Sequence, residues 1–368
     1  MTAINLERLI ENACALQQIP APTFSEHERG KYIESRFKTA GLRDVSVDKI
    51  GNVYGRTPGS LQPAVVVSAH LDSVFPMVTQ LEIHRNGSML IGPGIGDNAV
   101  ALAFLLEMAE AFVSQPKHGG SVWFVGNVRE EGLGNLLGMQ QVVDRFGDKV
   151  QAYIVLEGIG LGHIYHRGLQ VQRYRVSVET RGGHAWIHSD RESAIHTLLE
   201  IGSEIMGLSR PEEVPTSINI GLIRGGTSIN TIASAASMDL DLRSEKPQAL
   251  VDLERGLQTI CERHRASEVN IKQEQIGQRP GGAISPDHAL VKLACEALEV
   301  GEVAECHLGI ASTDANVPLS RGHPAVCVGL TAGGHAHTID EYIDTETIPN
   351  GYRMLHHLIS EALNLNPE

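Results

Sequence analysis

Val65-Val66-Val67-Ser68-Ala69-His70-Leu71-Asp72 is an apolar run that ends in an imidazole and a carboxylate. A short apolar run without alternation suits a strand buried on both faces, as in a parallel sheet covered by helices. Val122 to Val125 and Ala152 to Leu156 have the same character, and between the first two runs Ala99 to Val113 has the spacing of a helix. Such alternation predicts an α/β fold, a mostly parallel sheet with flanking helices, in which ligands gather beyond the carboxyl ends of the strands. His70 ends the first run, Glu130 and Glu131 follow the second, and Glu157 ends the third.

Toward the N-terminus, Leu6, Leu9, Ile10, Ala13 and Leu16 recur at helical spacing, so Met1 to Leu16 reads as an amphipathic helix rather than a signal peptide. Ser25-Glu26-His27-Glu28 has the capping-box spacing and opens a helix through Phe37, with Gly41 just beyond its end. Near Gly168 the pattern changes. Val171 to Thr180 alternates, Arg191 to Leu208 is helical, Ser217 to Ile223 and Ser237 to Leu242 alternate, Pro247 to Ala266 is helical and Val269 to Gln275 is a last strand. The order β-α-β-β-α-β is that of a ferredoxin-like α+β domain. After Arg279-Pro280-Gly281-Gly282 the α/β character returns, with a helix near His288 to Leu298 and a strand from Ala325 to Leu330. The expected organisation is one domain made of residues 1–168 and 280–368, with residues 169–279 inserted into it.

A chain of 368 residues exceeds the ~250 to 300 at which single cores stop growing, which agrees with two domains. The formal charge of -14 offers no basic field for phosphates, so neither nucleic acid nor an anionic membrane is an expected partner. No apolar run approaches the ~20 residues that span a bilayer. Five cysteines, Cys14, Cys261, Cys295, Cys306 and Cys327, are odd in number and widely spaced, and read as reduced thiols of a cytoplasmic protein. Asn86-Gly87-Ser88 reads as a turn.

The chemistry lies in five scattered pieces. His70 and Asp72 share a face of an extended segment, where Asp72 can accept the ring proton of a metal-binding His70; the same pair also suits a capped loop. In Gly92-Pro93-Gly94-Ile95-Gly96-Asp97-Asn98, glycine freedom lets Asp97 turn inward to bridge two cations, or Asp97 caps a helix. Glu130 and Glu131 read either as a solvated pair or as a base beside a ligand, since two adjacent carboxylates serve one metal poorly. Glu157, after an apolar strand, must be paired or bind metal if buried. Gly333-Gly334-His335-Ala336-His337-Thr338-Ile339-Asp340-Glu341 brings two histidines into a glycine-rich loop. All five pieces fall at strand ends or glycine loops, which favours a two-metal hydrolytic site.

The ordered set His70-Leu71-Asp72, Asp97, Glu130-Glu131, Glu157 and His337 to Glu341 resembles the di-zinc exopeptidase and deacylase family of glutamate carboxypeptidase, aminoacylase, peptidase T and succinyl-diaminopimelate desuccinylase. The inserted domain resembles that family's lid, so the likeness covers nearly the whole chain. It implies two divalent metal ions, zinc first and manganese or cobalt as alternatives, with His70, Asp97 and Glu157 on one and Asp97, Glu131 and His337 on the other. His337 is preferred to His335 because it stands four residues before Glu341. The resemblance further implies amide hydrolysis of a small peptide or N-acyl amino acid by a two-metal-activated water, with Glu130 as general base and Asp72 orienting His70. His184, in Gly182-Gly183-His184-Ala185, would polarise the scissile carbonyl, in its own subunit or across a homodimer formed through the lid. Asn230 and Arg243 would bind substrate, the arginine by a two-pronged grip on a carboxylate, unless Arg243 is paired with Asp241 or Glu245. Ser312 to Asn316 resembles a substrate-side loop. Trp186 stands where glycine is common in that family, and Ile232-Ala233 where Asn-x-Ile-Pro is common. Glu157, aspartate in some aminopeptidase branches, points toward carboxypeptidases and deacylases. The alternative is a catalytically silent relative that binds metal and serves as a binding or assembly module.

Overall fold

The structure is a computed structural model and describes residues 4–114 and 120–365. The first three residues of the expected N-terminal helix lie outside these; the helix is Leu6–Gln17, capped by Asn5, whose side chain accepts the amide of Arg8. Two compact units result, one made of the described residues up to 168 and from 282 onward, the other of Leu169–Gly281.

The first unit is built on one large sheet. Its four central strands, in the order Ser121–Asn127, Ala64–His70, Ala152–Ile159 and Ala325–Thr331, are mutually parallel. Antiparallel strands flank them, Val53–Arg56 and Arg43–Val47 on one side and His163–Gly168 on the other. All seven residues of Ala64–His70 are buried because both faces are covered. Val65, Val67 and Ala69 enter one core, with Leu102, Leu105 and Phe112 of the helix Ala101–Ser114. Ala64 and Val66 enter the opposite core, with Met139 and Val142 of the helix Leu137–Phe146. The C-terminal return supplies the fourth parallel strand and the helices Ala289–Val300 and Ile348–Ala362, whose Leu290, Ala294, Leu355 and Leu358 join the first core.

The second unit is a four-stranded antiparallel sheet in the order Thr216–Gly225, Ala235–Ser244, Gln170–Glu179, Asn270–Arg279. The helices Ala194–Met206 and Pro247–Arg263 pack their apolar faces on it through Leu198, Ile201, Leu253 and Leu257. This is the ferredoxin-like arrangement.

Three local expectations are corrected. The capping box at Ser25 to Glu28 does not form: the helix His27–Ala40 has no side-chain cap, because the Glu26 carboxylate is drawn inward to the amides of Phe24 and Arg129. The strand carrying Glu157 runs on to Ile159, so Glu157 lies within it rather than after it. Cys295 and Cys306 are joined in a disulfide, not free thiols; the chain turns back after the helix Ala289–Val300 and brings their Cα atoms to 5.8 Å, a proximity that no sequence spacing encodes. Among the described residues no helix is long and apolar enough to cross a membrane.

Candidate metal centre

His70 is the last residue of its strand and is almost fully buried. Its Nδ1 meets the main-chain carbonyl of Asp72 at 3.0 Å, while the Asp72 carboxylate stands 3.6 Å away, beyond hydrogen-bond reach. The ring is therefore oriented by Asp72, but through the peptide and not the side chain as expected. The Asp72 carboxylate is occupied elsewhere: it accepts the amides of Glu130 at 3.0 Å and Glu131 at 2.9 Å and the hydroxyl of Thr23 at 2.9 Å. Asp72 is fully buried, and burial pushes its pKa up, but His70 and the two amides outweigh this and hold it below the usual carboxylate range.

Asp97 is not a helix cap. It leaves helical geometry together with Asn98, and the helix Ala101–Ser114 starts after them. Asn98 binds the neighbouring strand like an extra rung, its amide donating to the carbonyl of Leu156 and accepting the amide of Gly158, both at 3.0 Å. Glu157 lies between those two residues. Close approach here requires glycine: a Cβ on Gly158 would collide with the carbonyl oxygen of Gly96.

The histidine loop is held by a small second sheet, in which Gly333–Gly334, Tyr342–Asp344, Met89–Ile91 and His84–Asn86 pair in that order; Gly87 and Ser88 form the turn of its hairpin. Glu341 is fully buried and accepts the amides of Gly96 and Asp97, each at 2.7 Å, and of His337 at 3.2 Å. One carboxylate thus joins the two loops. His337 Nε2 lies 3.0 Å from Asp97 Oδ2 and 3.1 Å from Glu131 Oε1. His335 is turned away and packs edge-on against Tyr342, ring centres 5.5 Å apart.

Two groups of donors sharing Asp97 result: His70, Asp97 and Glu157, and Asp97, Glu131 and His337, with the donor atoms of each group within 4.8 Å of one another. His70 Nε2 is 3.1 Å from Asp97 Oδ1 and 3.8 Å from Glu157. A third overlapping group is His70, Glu130 and Glu131, and both glutamates are buried. Burial resists a charged His70, yet Asp72, Asp97 and Glu157 hold its pKa well above the usual value. Contacts with Asp97 and Glu131 raise His337 to about 10. Burial, with repulsion from Asp97 and Glu131, pushes Glu157 up. Asp97 is held below the usual range because the two imidazoles, His70 at Oδ1 and His337 at Oδ2, outweigh its burial. So many carboxylates around one point fit divalent cations, and the mixture of imidazole and carboxylate donors suits zinc and also admits manganese or cobalt.

In the second unit, Gly183–His184 pairs with Thr231–Ile232, so His184 and Asn230 are neighbours: the amide of Ala185 donates to the carbonyl of Asn230 at 3.0 Å. Both residues are exposed. Arg243 is not brought to them. It lies near the far end of the strand Ala235–Ser244, and its Nε bonds Asp241 at 2.6 Å.

Two supporting residues, Arg29 and Asn127, carried no motif. Arg29 is fully buried and donates to the carbonyls of Leu71 and Ile19 at 2.8 and 2.7 Å. Asn127, opposite His70 in register, accepts the amide of Leu71 through its carbonyl and donates its side chain to Asp314 at 2.6 Å. Asp314, in the loop read as substrate-side, is buried and interacts with His70, Asp72 and Glu157 of the candidate site, and burial raises it to about 7. Asn98 alone had a readable cue, its place directly after a glycine-flanked acid.

The family model described as "Peptidase family M20/M25/M40" matches residues 66–361. YqjE of Bacillus subtilis is 24% identical over 378 residues, covering 98% of this chain and 99% of that protein. Among solved structures, a tripeptidase from Staphylococcus aureus has a TM-score of 0.80 at 21% identity, covering 98% of this chain and all of the other (100%). The Bacillus subtilis protein YXEP, described as a dinuclear metal binding peptidase from the M20 family, has a TM-score of 0.69 at 18% identity and 98% coverage of both chains.

Proposed function

Because the chain belongs to peptidase family M20/M25/M40, we propose that it is a metallo-exopeptidase or deacylase that cleaves an amide bond in a small peptide or N-acyl amino acid, with Glu130 as the general base. The observation that supports this reading best is the sharing of Asp97 between two donor groups, with a buried Glu130 standing beside His70 and Glu131. Two divalent cations held by His70, Asp97 and Glu157 and by Asp97, Glu131 and His337 would supply Lewis acidity and make water acidic enough to ionise near neutral pH. Glu130 would take the proton from the attacking water and return it to the leaving amine. Asp72 fixes the amides of both Glu130 and Glu131 and so holds base and ligand at adjacent positions. His184 would stabilise the oxyanion of the tetrahedral intermediate, and Asn230 would bind substrate beside it. Arg243 would need to release Asp241 to grip a substrate carboxylate. The working form proposed is a homodimer through the second unit.

The test is metal analysis followed by turnover on a panel of dipeptides, tripeptides and N-acyl amino acids, with Glu130→Gln alongside. A residue acting as general base is worth ~10² to 10⁴ in rate, so Glu130→Gln should keep its metal and lose turnover on that scale. Metal without turnover on any substrate would favour the silent binding module.

A further inference from the structure

The segment before Glu130 bounds a second space, a cavity of about 450 Å³ that contains none of the metal-site residues. Its floor is apolar, with Val53 and Val128 both buried, and Phe24 and Val47 are exposed at its mouth. The size falls within the ~300 to 1,000 Å³ of small-molecule sites, and an apolar floor with a few charged groups is their usual composition.

The charges at the rim are unequally committed. Glu26 accepts the amides of Phe24 and Arg129. Asp48 accepts three main-chain amides with one oxygen and meets the Asn52 amide and Tyr54 hydroxyl with the other. Glu34 is paired with Lys38. Lys49 is exposed and has no partner among the described residues, and the guanidinium of Arg129 rests on the ring of Phe24, 5.3 Å from its centre, with Nε buried and unbonded. The lining carries three acids, Glu26, Glu34 and Asp48, and three cations, Lys31, Lys49 and Arg129; Lys31 meets Glu28, which leaves Lys49 and Arg129 as the two cations at the mouth with no acid partner among the described residues.

The walls are continuous with the metal centre. Glu26 fixes the amide of Arg129, the residue before Glu130, and Thr23, next to Phe24, bonds the same Asp72 that holds Glu130 and Glu131. Phe24 and Arg129 both sit at positive φ, 75° and 61°, so their side chains are held at the mouth by strained backbone rather than by choice of rotamer.

We propose that this cavity is a second ligand site, which takes a small carboxylate with an apolar body and couples its binding to the loop carrying Glu130 and Glu131. The carboxylate meets Lys49 and Arg129, and the apolar body covers Val53 and Val128. Only the coupling rests on the reading of those glutamates given above.

The experiment uses 3-phenylpropionate, which has no amide to hydrolyse, titrated calorimetrically into the metal-loaded full chain, with hydrogen exchange followed at residues 129–134. Saturable binding is expected, weakened about tenfold or more in Lys49→Glu, as loss of a charge-assisted contact predicts, and retained in His337→Ala. Exchange at 129–134 should slow when the ligand is bound. Equal affinity in Lys49→Glu with loss in His337→Ala would place the carboxylate on the metals and overturn the proposal, as would equal affinity for the uncharged 3-phenylpropan-1-ol or no saturable binding. Binding that leaves exchange at 129–134 unchanged would overturn the coupling. None of these readouts requires turnover, so a failure of the hydrolase reading would be seen separately, in the substrate panel.

Discussion

Oδ1 of Asp72 accepts the main-chain amide of Glu130 at 3.0 Å, so an acid at a strand end positions the proposed base through its backbone rather than its side chain. The other oxygen holds Glu131 at 2.9 Å. In Asp72→Asn an NH₂ group must face one of these donors, and one charge-assisted bond is lost. Supporting groups of this kind are typically worth ~10 to 100-fold in activity or metal affinity, and a loss on that scale is expected in kcat measured with excess zinc. Thr23→Val, which removes a neutral bond to the same carboxylate, should cost less. Wild-type turnover in Asp72→Asn would show that the loop does not depend on it.

Asn98 brackets Glu157 from the next element, and its truncation should be felt in folding. Asn98→Ala leaves the buried carbonyl of Leu156 and amide of Gly158 without their partner. An unsatisfied buried group costs about 1–3 kcal/mol, so destabilisation of that order for each is expected in urea unfolding of the metal-free protein. Unchanged stability would mean that water replaces the side chain and that the rung is not needed to hold Asp97 beside Glu157.

The parts of this architecture that depend on local pattern were legible before the structure. Ala64–His70 reads as a buried strand because both its faces meet apolar cores, and the alternating runs after Gly168 read as a separate α+β unit because one face of that sheet is covered and the other is not. The candidate donors were legible because they stand at or near strand ends and in glycine loops, although Glu157 lies two residues inside its strand. What holds them was not. Arg29 and Asn127 act through pairings between residues far apart in sequence, and a lone buried arginine or asparagine has no signature of its own. Glu341 served only as a landmark for His337, although it joins both loops by three amides. The disulfide between Cys295 and Cys306 was missed for the same reason, since proximity and not spacing creates it.

Metal loading should release protons. In the metal-free protein His337 titrates at about 10, because Asp97 and Glu131 favour its charged form, and His70 is also held well above its usual value. Both rings therefore carry a proton at neutral pH, and a ring nitrogen must lose it to coordinate a cation. Affinity should rise with pH until His337 deprotonates on its own near about 10, and fall as pH drops. Calorimetry in buffers of different ionisation enthalpy should count about two protons released for two metals bound. Release of none would mean that the imidazoles do not coordinate.

His335 and His337 offer the sharpest contrast, because they are two residues apart in one loop and differ in surroundings. His337 meets Asp97 and Glu131 at 3.0 and 3.1 Å, and its amide is held by Glu341. His335 packs edge-on against Tyr342, where an aromatic contact is worth ~0.5 to 1.5 kcal/mol. His337→Ala should therefore retain one metal after dialysis, the ion of the His70, Asp97 and Glu157 group, while His335→Ala should retain both and lose stability on the scale of that contact. Each outcome is read directly as zinc per chain by elemental analysis, with thermal unfolding alongside. Loss of zinc in His335→Ala and not in His337→Ala would exchange the two assignments. Loss of both metals in His337→Ala would be equally informative, since it would mean that Asp97 cannot hold its orientation toward His70 once His337 no longer flanks it.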